Sequence, residues 1–387
     1  MDTARQKIFQ VHLNGKLEVR SRRPIRTEEA LRLVYTPGVA EVCRHLQSHP
    51  EDQAAYTWVG RTVAVVTNGT AVLSLGAIGP EASLPVMEAK AALFRELAGL
   101  NAVPILIRTR EPELFVRTVE QIAPSFGAIM LEDIESPACF VIERRLQEQL
   151  NIPVLHADQH ATAVAVLAAV MNAVSILEKR PSKFRVLLHG AGPSGLAIAR
   201  LLRVWGVKDL ALCRGDGSAW AGDEVAGNPA YAALAPLTRP CQETARFEEL
   251  LRGRDILIST SGGFRLSRAA LAAMAPQAVV LAISNPQPLV APQEALAAGC
   301  AFALDGTAVN NALAFPGLFQ GVLESRAHRF EDAMLLAAAK AIAQAAPEGR
   351  LVPDQLDRKL HRKVARAVAK TALADRQEMA DCEEWVR

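Results

Sequence analysis

At 387 residues the chain is too long for one ordinary hydrophobic core, which predicts two domains. A net charge of +2 with 22% charged residues and no basic block excludes nucleic acid and a membrane surface as expected partners. The six cysteines, Cys43, Cys139, Cys213, Cys241, Cys300 and Cys382, have neither C-x-x-C nor paired spacing, which argues against a disulfide framework and a zinc site. With residues 1–16 lacking the apolar core of a secretion signal, the expected location is the cytoplasm.

In chain order, strand-like apolar runs fall at 62–67, 102–107, 127–131, 152–155, 185–189, 209–213, 255–260 and 278–283. Helical patterns lie between or beyond them at 82–98, 137–150, 159–178, 194–205, 333–346 and 355–373. The run 161–177 falls just short of a membrane span, is rich in small residues and contains Asn172, so it reads as a buried helix packed closely on a neighbour. A Gly, Ala and Pro cluster at 215–236 reads as a loop-rich excursion. The alternation predicts an α/β protein with parallel sheets covered by helices: a smaller N-terminal α/β domain, 1–155, and a Rossmann-type doubly wound domain with C-terminal helices, 156–387.

The apolar strand at 185–189 runs into Gly190-x-Gly192-x-x-Gly195 and then a helix. In that context the glycines provide a tight turn, a close approach of backbone to a pyrophosphate, and close packing of helix on strand. Gly190, Gly192, Ser194 and Gly195 are therefore candidate dinucleotide contacts. Where an acidic residue normally holds the ribose 2′-hydroxyl, at the end of the next strand, stands Arg214, which can pair with a 2′-phosphate and tilts the choice toward NADP. Asp216 keeps NAD open, as does the reading of Arg214 as a solvated loop residue.

Glu132 and Asp133 follow the strand at 127–131 and Asp158 follows that at 152–155, so three carboxylates gather at the carboxyl ends of neighbouring strands, where open α/β sheets bind ligands. Together they can hold a hard divalent cation. Separately, Asp158 can be a helix N-cap and Glu132 a surface charge. Lys90 lies on the helical stretch 82–98 among Val86, Met87, Ala91 and Leu93, where desolvation lowers its pKa and makes it a neutral base. The alternative is a snorkelling surface lysine.

The stretches Tyr35-Thr36-Pro37-Gly38-Val39-Ala40, Pro85-Val86-Met87-Glu88-Ala89-Lys90, Leu131-Glu132-Asp133-Ile134, His156-Ala157-Asp158-Gln159-His160 and Gly190-Ala191-Gly192-Pro193-Ser194-Gly195, in this order and spacing, resemble the malic enzyme family in its short bacterial form. The resemblance runs from about residue 24 to 373. It implies metal-dependent oxidative decarboxylation of L-malate, or a close 2-hydroxy diacid, to pyruvate and CO₂ with reduction of NAD or NADP. Lys90 is then the general base and Tyr35 the acid that protonates the enolate carbon, with Glu132, Asp133 and Asp158 on Mn²⁺ or Mg²⁺. Asn285, in Ser284-Asn285-Pro286, becomes a substrate and nicotinamide contact, and Asn310 and Asn311 become substrate contacts; without the resemblance Asn285 is an ordinary turn residue. A homodimer is the expected assembly.

The chain departs from the family at several neighbours of these groups. Ala157 and Asn68 stand where aspartates are usual, Ala161 and Ser74 where glycines are usual, and the loop at 304–309 is shorter. These changes keep two other readings open: a paralogue acting on a substituted malate, and a nucleotide-binding regulatory protein with impaired catalysis.

Overall fold

The computed structural model describes residues 3–72, 75–220, 246–284 and 287–386, the side chains of 3, 375, 376 and 378–386 excepted. Most of the 215–236 excursion, together with Cys241, Ser74 and Asn285, lies outside the described residues, as does the side chain of Cys382. Two parallel sheets organise the rest. The first holds β1 (Thr62–Thr67), β2 (Asn101–Leu106), β3 (Ala128–Leu131) and β4 (Val154–His156) in the order β2-β1-β3-β4. The second holds β5 (Arg185–His189), β6 (Asp209–Cys213), β7 (Ile256–Ser259), β8 (Val279–Ala282) and β9 (Phe302–Asp305) in the order β6-β5-β7-β8-β9. Eight strands match expected runs. β9 was not expected: it is only four residues long, shortly after the tight turn at Gly299, and three of its positions are only half-buried.

β1, Thr-Val-Ala-Val-Val-Thr, is buried at every position, as a β-branched strand covered on both faces of a parallel sheet should be. Its side chains alternate between two cores: Val63 and Val65 join the large one between the sheets, Ala64 and Val66 the smaller one on the outer face. Pro104, which cannot donate to a ladder, is tolerated because β2 is an edge strand. The second sheet repeats the alternation, with Val186 and Leu188 in the shared core and Leu187 opposite.

The apolar helix Thr162–Ile176 runs through the shared core, packed on helices Pro193–Trp205 and Asp332–Ala343. The run Ala157–Ile176 is long and apolar enough to cross a membrane, but two-thirds of it is buried inside the protein, as expected of a core helix. Asn172, its polar interruption, donates to the carbonyls of Ala343 (2.9 Å) and Leu351 (3.0 Å) and ties it to the C-terminal segment. Helix Phe315–Ser325 crosses the long C-terminal helix Arg358–Val386 so closely that a Cβ on Gly317 or Gly321 would meet Val364 or Val368 at 2.7 and 2.6 Å. Phe315, at its start, stacks edge-on against Phe94 of the first half, so the C-terminal helices fold back over the first sheet.

At the amino edge of the second sheet, Asp255 accepts from the Arg185 backbone N–H (2.9 Å) and Nε (3.1 Å) and from Lys179 Nζ (3.2 Å). Burial pushes its carboxyl up, but the bonds from Arg185 and Lys179 outweigh that and hold it below the ordinary value of 3.8. A depressed folded pKa stabilises the fold fully above the unfolded value and loses that contribution as pH falls through the folded one. Asp255→Asn is therefore expected to lower stability by roughly 1–3 kcal/mol at neutral pH, with the gap to the parent closing below about pH 3.8; denaturant melts across pH check it.

Candidate active site

The chemistry-bearing side chains arrive at the carboxyl edge of the first sheet from separate elements. The Glu132 N–H continues the ladder, donating to the Val66 carbonyl at 3.0 Å, and Asp133 turns the chain off the strand with φ of 54°, a left-handed conformation that aspartate tolerates better than most residues. That turn is held from both sides. The Asp133 carbonyl accepts from Ala71 N–H (3.0 Å), and its own N–H donates to Asp158 Oδ2 (3.1 Å). Asn68 donates to the Thr109 carbonyl and accepts from Thr70, whose hydroxyl accepts from the Glu135 N–H, so Asn68 braces the same loop without a charge.

Asp158 sits in a single π-helical turn, Ala157–Ala161, between β4 and the core helix. It is not the side-chain cap of that helix: its carboxylate takes the Asp133 N–H instead. Oxygens of Glu132, Asp133 and Asp158 all lie within 4.8 Å of one another. Glu132 is no surface charge, being 2% exposed, and its Oε2 is buried without a hydrogen-bond partner. A hard cation wants such a set, since Mg²⁺ and Mn²⁺ take carboxylate oxygens and an orphaned buried oxygen is costly unless something binds it. The residues fit a divalent metal.

Lys90, on helix Pro80–Leu93, is not a snorkelling surface lysine. Its ammonium donates to Asn311 Oδ1 (3.1 Å), pairs with Glu132 Oε1 (2.7 Å) and lies 5.1 Å from the centre of the Phe315 ring. The expectation that desolvation lowers its pKa is corrected. Burial does push it down, but Glu132, Asp158 and Asp133 together push it up and prevail. Glu132 is driven well above the usual carboxylate range by burial and by Asp158, against the pull of Lys90. The pocket therefore carries more negative charge than one ammonium balances.

The second sheet presents its carboxyl edge to the same place. An open cleft of about 420 Å³ is lined by the 190–194 turn, Arg214, Trp220, Thr260 and, from the first half, Ser136. The three glycines divide the work as expected. Gly190 takes φ of 104° and backs onto the Thr260 hydroxyl, a Cβ on Gly195 would strike the Gly190 carbonyl, and Gly192 faces open space where a phosphate can approach the backbone. Beneath them His189 joins three strand ends, with Nδ1 bonded to Ser259 Oγ (2.9 Å) and Nε2 to the Gly215 carbonyl (3.1 Å); burial lowers its pKa.

Ser194 was expected among the cofactor contacts. It lines the cleft, but its hydroxyl donates to the Asp158 carbonyl at 2.8 Å, bonding the glycine-rich turn to the carboxylate cluster. Arg214 lines the cleft too, with Nη1 3.3 Å from Ser218 Oγ, while Asp216 Oδ1 accepts both the Ser218 N–H (2.9 Å) and hydroxyl (2.6 Å). Those bonds from Ser218 hold the Asp216 carboxyl below its ordinary value.

The short loop at 304–309 closes on Asp305 Oδ1, which accepts from Thr307 and Ala308. Asn310 is used up locally, accepting from Ala312 N–H (2.9 Å) and donating to Gly306 (3.3 Å), so of the two asparagines Asn311 is the one that meets Lys90. Tyr35 stands 65% exposed in the stretch 28–48, where no residue is buried, and none of the described hydrogen bonds joins it to Lys90 or the carboxylates. Sequence reasoning missed Thr260 and Ser136, whose signal was their place just past strand ends, and Phe315, which had none.

A family model described as the malic enzyme N-terminal domain matches residues 14–114, and one described as the malic enzyme NAD binding domain matches residues 302–373. NAD-dependent malic enzyme 1 of Bacillus subtilis is 43% identical over 96% of this chain and 82% of that protein. The NADP-dependent malic enzyme of Escherichia coli is 35% identical over 96% of this chain, which spans 53% of that longer protein. Among solved structures, the malic enzyme of Pyrococcus horikoshii matches with a TM-score of 0.91 at 38% identity, covering 96% of this chain and 91% of that one.

If the three carboxylates hold a hard cation, Mn²⁺ should stabilise the fold by about 2.7 kcal/mol at a hundredfold excess over its dissociation constant. Asp133→Asn keeps the shape but loses the charge, and its melting temperature should not respond. Thermal melts with Mn²⁺ and with chelator check this.

Proposed function

The chain belongs to the malic enzyme family, and we propose that it converts L-malate to pyruvate and CO₂ while a hydride passes from C2 to NAD or NADP. The observation that carries this reading is Lys90 held between Glu132 and Asn311, beside three converging carboxylates and across from the glycine turn. A base, a charge site and a dinucleotide cleft are what oxidation of a 2-hydroxy acid needs together.

In this reading Glu132, Asp133 and Asp158 would hold a divalent cation, Mn²⁺ or Mg²⁺, which would supply Lewis-acid chemistry to the substrate. Lys90 takes the hydroxyl proton. Asn311, with Oδ1 committed to Lys90, orients the substrate carboxylate with its amide N–H groups. The carboxylate at C4 leaves as CO₂, and Tyr35 returns a proton to C3. Gly190, Gly192 and Gly195 shape the pyrophosphate turn, and Asn285 keeps its assignment from sequence as a substrate and nicotinamide contact. A free substrate of this size needs no macromolecular partner.

Malate itself is favoured over a substituted malate because the replaced neighbours do not enlarge the pocket. Ala157 and Ala161 are fully buried in the apolar core and do not line the cleft. We place the domain division at residues 155 and 156, one residue before the end of β4 and ahead of the stretch 157–184 that separates the two sheets, with the C-terminal helices shared between halves. A homodimer is supported by the apolar side chains of the first 45 residues that face solvent in one chain, among them Phe9, Leu13, Val19, Leu33, Tyr35 and Val42. On this account the partner chain supplies Tyr35. The described cysteines, Cys43, Cys139, Cys213 and Cys300, are free thiols, which suits the cytoplasm.

The test is purified protein with Mn²⁺, malate and each dinucleotide, read by absorbance of the reduced cofactor and by CO₂ release. Lys90→Ala and Tyr35→Phe should each lower kcat by about 10²–10⁴-fold with dinucleotide affinity unchanged. Co-expression of the two variants should restore activity, since one shared site then has both groups. No reduction of cofactor by malate would overturn the reading.

For the cofactor, we take Arg214, which follows β6 and lines the cleft, as the residue that forks onto a 2′-phosphate, a charge-assisted contact worth roughly 1.5–3 kcal/mol. NADP⁺ should be used at least as well as NAD⁺, and Arg214→Asp should reverse the order. The ratio of kcat/KM for the two cofactors, in parent and variant, decides between Arg214 and Asp216 as the ribose contact.

A further inference from the structure

Glu143 stands out on helix Ala138–Gln149 because its neighbours on the inner face, Cys139, Ile142 and Leu146, are core residues, yet it is 6% exposed. Burying a carboxylate is costly unless it is hydrogen-bonded. It is bonded entirely to one segment. Glu143 accepts from the His156 backbone N–H (2.7 Å), from Gln159 Nε2 (3.0 Å) and from His160 Nε2 (3.1 Å). These donors bracket Asp158 on both sides, and Glu143 is not one of the three clustered carboxylates. Burial pushes its carboxyl up, but His160 and His156 outweigh that and hold it below the ordinary value.

We propose that Glu143 is a positioning residue that fixes the direction of the Asp158 carboxylate by pinning the turn around it. The turn Ala157–Ala161 is π-helical, its hydrogen bonds spanning one residue more than those of an α-helix, a rare geometry that occurs mostly as single turns at functional sites. If the bonds from Glu143 are lost, the turn relaxes toward α geometry, and Asp158 swings around the helix axis by about the 100° that one residue spans. Its Oδ2 then leaves the Asp133 N–H and the carboxylate cluster. Ser194, which holds the Asp158 carbonyl, constrains the backbone but not the side chain. Glu143 thus acts on the cation site through the turn, touching neither substrate nor cofactor.

This inference rests on the reading of Glu132, Asp133 and Asp158 as a cation site, and the test separates the two. Glu143→Gln keeps the shape but offers one acceptor oxygen where three donors converge. Titration of the protein with Mn²⁺ alone, followed by electron paramagnetic resonance of the free ion, should show affinity weakened by about 10–100-fold, with NADP⁺ affinity unchanged. Hydrogen exchange of the metal-free protein should accelerate across 156–162 while β1 and β3 stay protected. Gln159→Leu, which removes one donor of three, should give a smaller loss in the same direction and covers the case in which Glu143→Gln does not fold. Unchanged Mn²⁺ affinity and unchanged exchange at 156–162, with only a lower melting temperature, would overturn the proposal. Accelerated exchange in the variant, combined with no Mn²⁺ binding even by the parent, would uphold the pinning of the turn and overturn the cation site.

Discussion

Three carboxylates and one ammonium crowd the carboxyl edge of the first sheet, and most of what surrounds them exists to keep that uneven group of charges in place. Taking ions out of water costs several kcal/mol each even after relaxation, so a buried cluster with surplus negative charge holds together only if the fold fixes its members from several directions. Here Lys90 comes from a helix, Glu132 and Asp133 from the end of β3, and Asp158 from the turn after β4. Each is then held by a group from elsewhere: Asn311 on Lys90, Lys90 on Glu132, Ala71 and Asp158 on Asp133, Ser194 on Asp158. The strain in Asp133, with its positive φ, is what brings two adjacent carboxylates off one strand end to the same spot.

Topology explains why this spot also meets the dinucleotide cleft. In the first sheet β1 lies between β2 and β3, and in the second β5 lies between β6 and β7, so each sheet has a point where successive connections leave in opposite directions. Ligands of open parallel sheets sit in the crevice at the carboxyl ends beside such a point. Ser136, past the end of β3, lines the cleft with Gly190 and Thr260, past the ends of β5 and β7, and the Ser194 bond to Asp158 closes the contact between the two edges. A hydride donor and acceptor can be held face to face only because both crevices open onto one space.

Local features were legible in the sequence and long-range ones were not. The glycine turn could be read because its requirements lie within six residues: a positive φ at Gly190, contact at Gly195 and open space at Gly192. Fully buried strands announce themselves as unbroken β-branched runs, as β1 does. The direction of the Lys90 shift could not be read the same way. Its helix neighbours predict desolvation, but the carboxylates that reverse the outcome arrive from strands far along the chain. Glu143 was invisible for a related reason: a glutamate on an amphipathic helix reads as solvated, and only the fold shows that it faces the turn after β4. Tyr35 was legible as a motif, yet the fold of one chain leaves it exposed.

The departures around the site share one physical direction. Ala157 and Asn68 stand where the family resemblance leads one to expect aspartates, and both are buried: Ala157 in the core directly before Asp158, Asn68 bracing the loop that carries Glu135. Each replacement removes a negative charge from surroundings that already hold too many. Asn68 keeps the hydrogen bonds an aspartate would accept from Thr70 and adds a donor to the Thr109 carbonyl, so geometry is kept while repulsion falls. Lys90 benefits as well, because every carboxylate near it raises its pKa and makes the neutral form harder to reach. Three carboxylate oxygens face one another while Ala157 and Asn68 bring no charge of their own, which leaves the cluster's own geometry, and the turn that aims Asp158, to carry the binding that further charge would otherwise assist.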